Sequence, residues 1–334
     1  MELYPENKPF DSGYLQVGDG HALYYERQGN PKGKPVVYLH GGPGGGCSFG
    51  EYRMFNPDHF NVLMFDQRGS GKSTPYASTH ANNTTALVSD IEKFRKHCDV
   101  KSWSVCGGSW GSALAMFYAE KHPQHVERML LRGVFFADQD GANHITEGRA
   151  LSHPMADPLF KEYSDLIPAE ELKKDGLLTA YHKRVTSADE TMAMEAARRF
   201  YVMDTALATY KVRQDWIDEA NNDPQSTLAL SRLWFHYAVH HFKPENKIFL
   251  LNAMNKLEVP VNIIHGTDDL LCPVMNAEAL ADSCHHVSLT TPLNCGHSQA
   301  EPALAAAFID ITERWMAEDK RIKPGNNLKP AGPA

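Results

Sequence analysis

The segment Val105-Cys106-Gly107-Gly108-Ser109-Trp110-Gly111-Ser112 constrains the fold of this chain more than any other. A short apolar run leads into Gly-x-Ser-x-Gly, and residues 113–120 continue it with the composition of a helix. A serine set between a strand and a helix must sit on a very tight turn. Glycines two before and two after it are needed, because a Cβ there would collide with the neighbouring strand and helix. Such a turn exposes the serine hydroxyl. It also aims the free N–H groups of the helix N-terminus at any negative charge formed beside it. The expected chemistry is nucleophilic acyl transfer.

The rest of the chain supplies the frame such a turn needs. Strand-like apolar runs occur at residues 22–26, 36–40, 61–66, 103–106 and 129–134, and a helical spacing of Leu87, Val88, Ile91 and Phe94 falls between two of them. Short, nearly continuous apolar strands separated by helices predict an α/β protein with a mostly parallel sheet covered on both faces. The alternation then breaks. Residues 138–243 contain charged, alanine-rich helical stretches and no convincing buried strand, and strand-like runs return at 259–264 and 286–289 before a last amphipathic helix at 303–316. This pattern predicts a core of residues 1–137 and 244–319, interrupted by a helical cap at 138–243 that lies over the strand ends, with a loose tail at 320–334.

Composition excludes several other classes. A net charge of −8 without a basic run argues against a nucleic-acid partner. No apolar run approaches ~18 residues, so no membrane span is expected. The first residues do not read as a secretory signal. The six cysteines (47, 98, 106, 272, 284 and 295) form no CxxC pair, and together these features point to free thiols and a cytoplasmic protein. Cys47, Cys272 and Cys295 fall in loops expected around the site, where thiol reagents would block access.

An acyl-transfer site needs an oxyanion hole, a base and an acid. The glycine loop His40-Gly41-Gly42-Pro43-Gly44 follows an early strand. The Gly42 amide and the amide of Trp110, next to the nucleophile, are the candidate oxyanion donors. Among 17 histidines, His297 follows the last strand and opens the last helix, while pairs such as His240-His241 and His285-His286 read as surface or satisfied core residues. The acid belongs after the preceding strand, in Ile263-Ile264-His265-Gly266-Thr267-Asp268-Asp269. Spacing selects Asp269, with Asp268 as the alternative and Asp138 a distant third. Its task is to hold the imidazole in its reactive tautomer.

The chain resembles the proline iminopeptidases, serine peptidases of the α/β-hydrolase fold. The resemblance rests on HGGPGGG at 40–46, DQRGSGKS at 66–73 followed by Thr74-Pro75, NNTT at 82–85 and GGSWGS at 107–112. It runs nearly unbroken over residues 36–134 and returns at 265–273 and 296–298. It implies Ser109, Asp269 and His297 as a triad, release of N-terminal proline from short peptides, and neither cofactor nor metal. In this family two cap glutamates bind the substrate's cationic amine. The matching stretches here are Phe200-Tyr201-Val202-Met203-Asp204 and Arg232-Leu233-Trp234-Phe235-His236-Tyr237, which put Asp204 and Trp234 at the two positions. A shorter carboxylate and an aromatic face that can hold a cation would therefore bind the substrate. The alternatives are an esterase, lactonase or amidase using the same triad on a small acyl substrate, and a catalytically silent small-ligand-binding protein. Oligomeric state is not legible.

Overall fold

A computed structural model describes residues 2–48, 50–148 and 157–322. In chain order the elements are β1 (Asp11–Gly18), β2 (His21–Gly29), β3 (Lys34–Leu39), β4 (Phe60–Phe65), α1 (Thr84–His97), β5 (Trp103–Gly108), α2 (Trp110–Lys121) and β6 (Val126–Arg132). Then come α3 (Gln139–Thr146), α4 (Asp157–Ser164), α5 (Ala169–Val185), α6 (Glu190–Leu207), α7 (Gln214–Asn222), α8 (Pro224–His240) and α9 (Asn246–Asn255). The chain closes with β7 (Val261–Ile264), α10 (Met275–Ser283), β8 (Val287–Thr290) and α11 (Pro302–Ile322).

The eight strands form one sheet in the order β1-β2-β4-β3-β5-β6-β7-β8. Only the β1–β2 and β2–β4 pairings are antiparallel; all others are parallel. Strand alternation divides the core. Val37, Leu39, Val105 and Leu131 face a layer that includes Leu87, Ile91 and Phe94 of α1, Leu114 and Tyr118 of α2 and Leu280 of α10. Val36, Tyr38, Cys106, Leu130 and Ile264 face Leu304, Phe308, Ile311 and Trp315 of α11. Both sheet faces are thus covered, and this is the expected α/β class. β1 did not stand out in the sequence, because its outward positions are exposed and its composition is polar.

Helices α3 to α9 all lie between β6 and β7. All of them but α7 join the first of these two cores, to which Tyr163, Tyr181, Phe200, Trp234 and Phe235 belong, while Ile217 of α7 packs with Val202 and Ala206 of α6 in a smaller cluster. α8 and the residues just after it meet the start of α2, where Tyr237 and Phe242 pack on Trp110 with ring centroids 4.9 and 5.7 Å from it. α9 packs back on α2 through stacked Phe117 and Phe249. Of the tail expected at 320–334, residues 323–334 lie outside the described residues. Among the described residues no helix is long and apolar enough to cross a membrane, and all six cysteines are free.

Candidate active site

The turn between β5 and α2 has the geometry its glycines imply. Ser109 has φ 57° and ψ −127°, a backbone conformation that costs a non-glycine residue on the order of 1–3 kcal/mol. A Cβ on Gly111 would strike the Leu39 carbonyl of β3, and one on Gly107 would strike the Gly111 carbonyl. The strain is held by the Ser109 N–H donating to the Arg132 carbonyl (2.9 Å) and by the Ser112 hydroxyl donating back to the Ser109 carbonyl (2.7 Å). Ser109 borders a cavity of about 690 Å³ that is also lined by Gly41, Gly42, Asp204, Trp234 and His297.

The structure brings His297 and Asp269 together: His297 Nδ1 lies 2.7 Å from Asp269 Oδ2. Asp269 Oδ1 accepts the Leu271 and Cys272 N–H groups at 3.0 and 2.8 Å. Burial alone would raise the Asp269 carboxyl, but His297 and His265 hold it well below the usual carboxylate range. The neighbouring Asp268 is exposed and pairs with the Thr267 hydroxyl, and Asp138 caps α3 by accepting the Gly141 N–H. Burial holds the His297 imidazole below the ordinary histidine value although Asp269 pulls it upward. A neutral ring anchored at Nδ1 leaves Nε2 able to accept a proton.

His297 is fixed from the insertion as well as from the sheet. Its N–H and that of Ser298 both donate to the Ala208 carbonyl, at 2.9 and 2.7 Å. Ala208 caps α6, and Asp204 stands one turn earlier on that helix. Asp204 therefore stands over the same cavity as Ser109 and His297. Burial pushes its carboxyl up to about 7. Trp234 reaches this cavity too, but its ring stacks on Phe200 (6.1 Å between centroids, 18° between planes) and packs against Phe135 and Phe242. Its buried Nε1 has no hydrogen-bond partner among the described residues.

On the glycine-loop side, a Cβ on Gly41 would stand 3.2 Å from the Ser109 Cβ, so the loop backbone passes directly beside the serine. Gln67 ties this loop to α2. Its N–H donates to His40 Nε2 (2.9 Å), its amide donates to the His40 carbonyl (2.8 Å) and its Oε1 accepts the Trp110 Nε1–H (2.8 Å). Burial depresses the His40 pKa to about 4, so this ring stays neutral and accepts the Gln67 N–H. Trp110 is the first residue of α2, so its own N–H has no acceptor within the helix.

Three further residues bear on the site and escaped the sequence reading. His265 Nδ1 accepts the Val134 N–H, and its Nε2 lies 2.7 Å from the Cys272 carbonyl and 3.3 Å from Asp269 Oδ2. Arg132 donates to the His297 carbonyl. Gly133, at φ +53°, packs so closely that a Cβ would lie 2.8 Å from His297 Cε1. Only Gly133 carried a signal, a glycine directly after a buried strand. Of the three loop cysteines, Cys272 and Cys295 are buried, and Cys272 lies within hydrogen-bonding reach of the Ser109 side chain. Burial and the Asp269 charge push the Cys272 thiol well above its ordinary value. It is therefore the protonated, unreactive form that faces any thiol reagent.

Comparison with known proteins places this geometry. A family model for the alpha/beta hydrolase fold matches residues 34–302. A proline iminopeptidase of Xylella fastidiosa is 39% identical over 324 residues, covering 94% of this chain and 99% of that protein. One from Arabidopsis thaliana is 38% identical, covering 94% and 82%. One from Neisseria meningitidis is 35% identical, covering 93% and 98%. Among solved structures, an alpha/beta hydrolase enzyme from a Medee basin deep-sea metagenome library superposes with a TM-score of 0.64 at 15% identity, covering 95% of this chain and 100% of that one. An esterase from Exiguobacterium antarcticum gives a TM-score of 0.59 at 20% identity, covering 92% and 98%. These two show the fold alone. With relatives this similar along nearly its whole length, the chain belongs to the proline iminopeptidases, within the α/β-hydrolase fold family.

Proposed function

We propose that the protein is a serine aminopeptidase that releases N-terminal proline, or a small neutral residue, from short peptides through an acyl-enzyme. Ser109 attacks the scissile carbonyl while His297 Nε2 takes its proton, and Asp269 holds the imidazole and stabilises the imidazolium. The amides of Gly42 and Trp110 hold the oxyanion, each donor contributing on the order of 10²–10³ in rate. His297 then returns the proton to the leaving amine, and water hydrolyses the ester. The described helices of the insertion act as the cap, with Ile145, Phe200, Asp204, Leu230 and Trp234 walling the cavity that Ser109 borders.

The observation that carries this reading is Asp204. Asp204 puts a half-buried carboxyl in the wall of the cavity, one helical turn from the carbonyl that anchors His297 and with burial pushing its pKa up. A substrate's charged N-terminal amine supplies the missing counter-ion. Asp204 thus fixes the amine, and with it the first peptide bond, over Ser109. Trp234 contributes an apolar wall in this scheme, because its ring is already enclosed by three phenyl rings. That leaves one carboxylate for the amine, and so gives ester or amide hydrolysis of small uncharged acyl groups a place as the second reading.

The two readings separate on kcat/KM for prolyl-p-nitroanilide and p-nitrophenyl butyrate. The aminopeptidase reading expects clear turnover of the anilide, lost by ~10⁴-fold or more in Ser109→Ala. An active ester hydrolase with no anilide turnover would sink it. Covalent labelling of Ser109 by a fluorophosphonate excludes a silent binding protein.

A further inference from the structure

Histidines also gather away from the cavity, on the seam between α5 and α8. Residues 236 and 240 are one turn apart on α8, so their side chains share a face. His182, near the end of α5, faces them. The rings of His182 and His240 have centroids 5.0 Å apart, and those of His236 and His240 are 5.3 Å apart. One ring nitrogen from each of the three lies within 4.8 Å of the others. We propose that His182, His236 and His240 bind a divalent transition-metal ion of the zinc, nickel or copper class, cross-linking α5 to α8.

Tetrahedral zinc with nitrogens at about 2.0–2.1 Å needs its ligand atoms roughly 3.4 Å apart, so modest rotation about the side-chain torsions closes the site. The donor set selects the metal class. Three imidazoles without a carboxylate suit borderline d-block ions and offer nothing to calcium or magnesium, which require oxygen ligands. The surroundings also prepare the ligands. His236 Nε2 lies 2.9 Å from the Asn82 carbonyl, which places its proton there and makes Nδ1 the lone-pair nitrogen. A backbone carbonyl behind a histidine is the usual outer partner of a metal-bound imidazole. Arg232, one turn before His236, donates to the Val185 carbonyl at the end of α5 (2.8 Å) and keeps the two helices in register. His240 is exposed, so the fourth position is open to solvent.

The test uses the full chain, stripped with chelator and dialysed. Zinc titrated against a chromophoric competitor should bind one equivalent with a Kd in the micromolar range or tighter. Cobalt(II) should give the intense visible absorption of a four-coordinate ion. His240→Gln, whose side chain is exposed and so should not disturb folding, and His182→Gln should each weaken zinc binding at least ~10-fold and abolish the cobalt spectrum. At a fixed zinc concentration the Tm of the parent should rise more than that of His240→Gln. The absence of saturable zinc binding in this range would overturn the proposal. So would binding retained at full strength in both variants, because it would assign the ion to others of the 17 histidines.

Discussion

Asp204→Asn separates amine recognition from acyl transfer. Burial pushes the carboxyl up to about 7 from its ordinary 3.8, disfavouring the anion by ~1–3 kcal/mol once its residual solvation is counted. A substrate amine titrating near ~8 meets a carboxylate only where Asp204 has lost its proton and the amine has kept its own. For prolyl-p-nitroanilide, kcat/KM should therefore rise with pH through about 7 and fall again above the amine's pKa. Replacing the charge-assisted hydrogen bond, worth ~1.5–3 kcal/mol, should lower kcat/KM about 10- to 150-fold at pH 7.5. The acid limb should then move down to the pH at which His297, held below the ordinary histidine value, takes up its proton. An ester such as p-nitrophenyl butyrate carries no amine. Its rate should change less than ~3-fold and its acid limb should follow His297 in both proteins. Equal losses on ester and anilide would refute the reasoning, since they would mean that Asp204 acts through His297 or through the fold.

The same substitution has a stability signature whose sign is fixed. The folded state binds the Asp204 proton more tightly than the unfolded chain does, so this residue's contribution to stability is lost as pH rises from about 4 through about 7. Asp204→Asn should thus raise Tm at pH 8, by the equivalent of ~1–3 kcal/mol because the half-buried carboxyl keeps some solvation, and have almost no effect at pH 4.

Other perturbations test the remaining parts of the site. Asp269→Asn should lower kcat by ~10⁴-fold with little change in KM, whereas exposed Asp268→Asn should stay within ~3-fold of the parent. Gly133→Ala forces a Cβ to 2.8 Å from His297 Cε1. Because misplacement of about 1 Å can cost ~10²-fold, kcat should fall ~10- to 100-fold with KM nearly unchanged, and a loss of Tm with intact kcat would show that the ring tolerates the methyl. Gln67→Ala leaves the His40 carbonyl and Trp110 Nε1 without their buried partner. Each costs ~1–3 kcal/mol, so Tm should drop by several degrees, and kcat should fall more than KM rises as the two oxyanion-bearing segments come apart.

What was legible in the sequence follows from how local each determinant is. The turn at Ser109 is set by side-chain volume within a few residues, so its glycines announce it, and the steric partners of Gly107 and Gly111 are the ones that spacing implies. Strands buried on both faces stand out as apolar runs, while β1, half of it exposed at the sheet edge, does not. Chain order named His297, and the spacing after the preceding strand favoured Asp269 over Asp268; tertiary geometry adds the physical reason, one carboxylate bonded to His297 and its neighbour one residue earlier exposed. The insertion is harder, because its helices are specified by packing against one another. From sequence Trp234 is either a cation-holding face or a packed cap residue, and in the structure three phenyl rings from three segments pack around it. The histidine cluster is the extreme case. His236 and His240 keep the helical spacing that would reveal a pair, but the third ring lies on another helix, 54 residues before His236 in the chain. No local pattern encodes that meeting. It arises because the aromatic core packs α5 against α8, which sets Tyr181, the residue before His182, in a stack on Phe235, the residue before His236. The packing that buries these two rings brings the adjacent histidines to the same seam, so a change that loosens the Tyr181–Phe235 stack should weaken the metal site without touching a ligand.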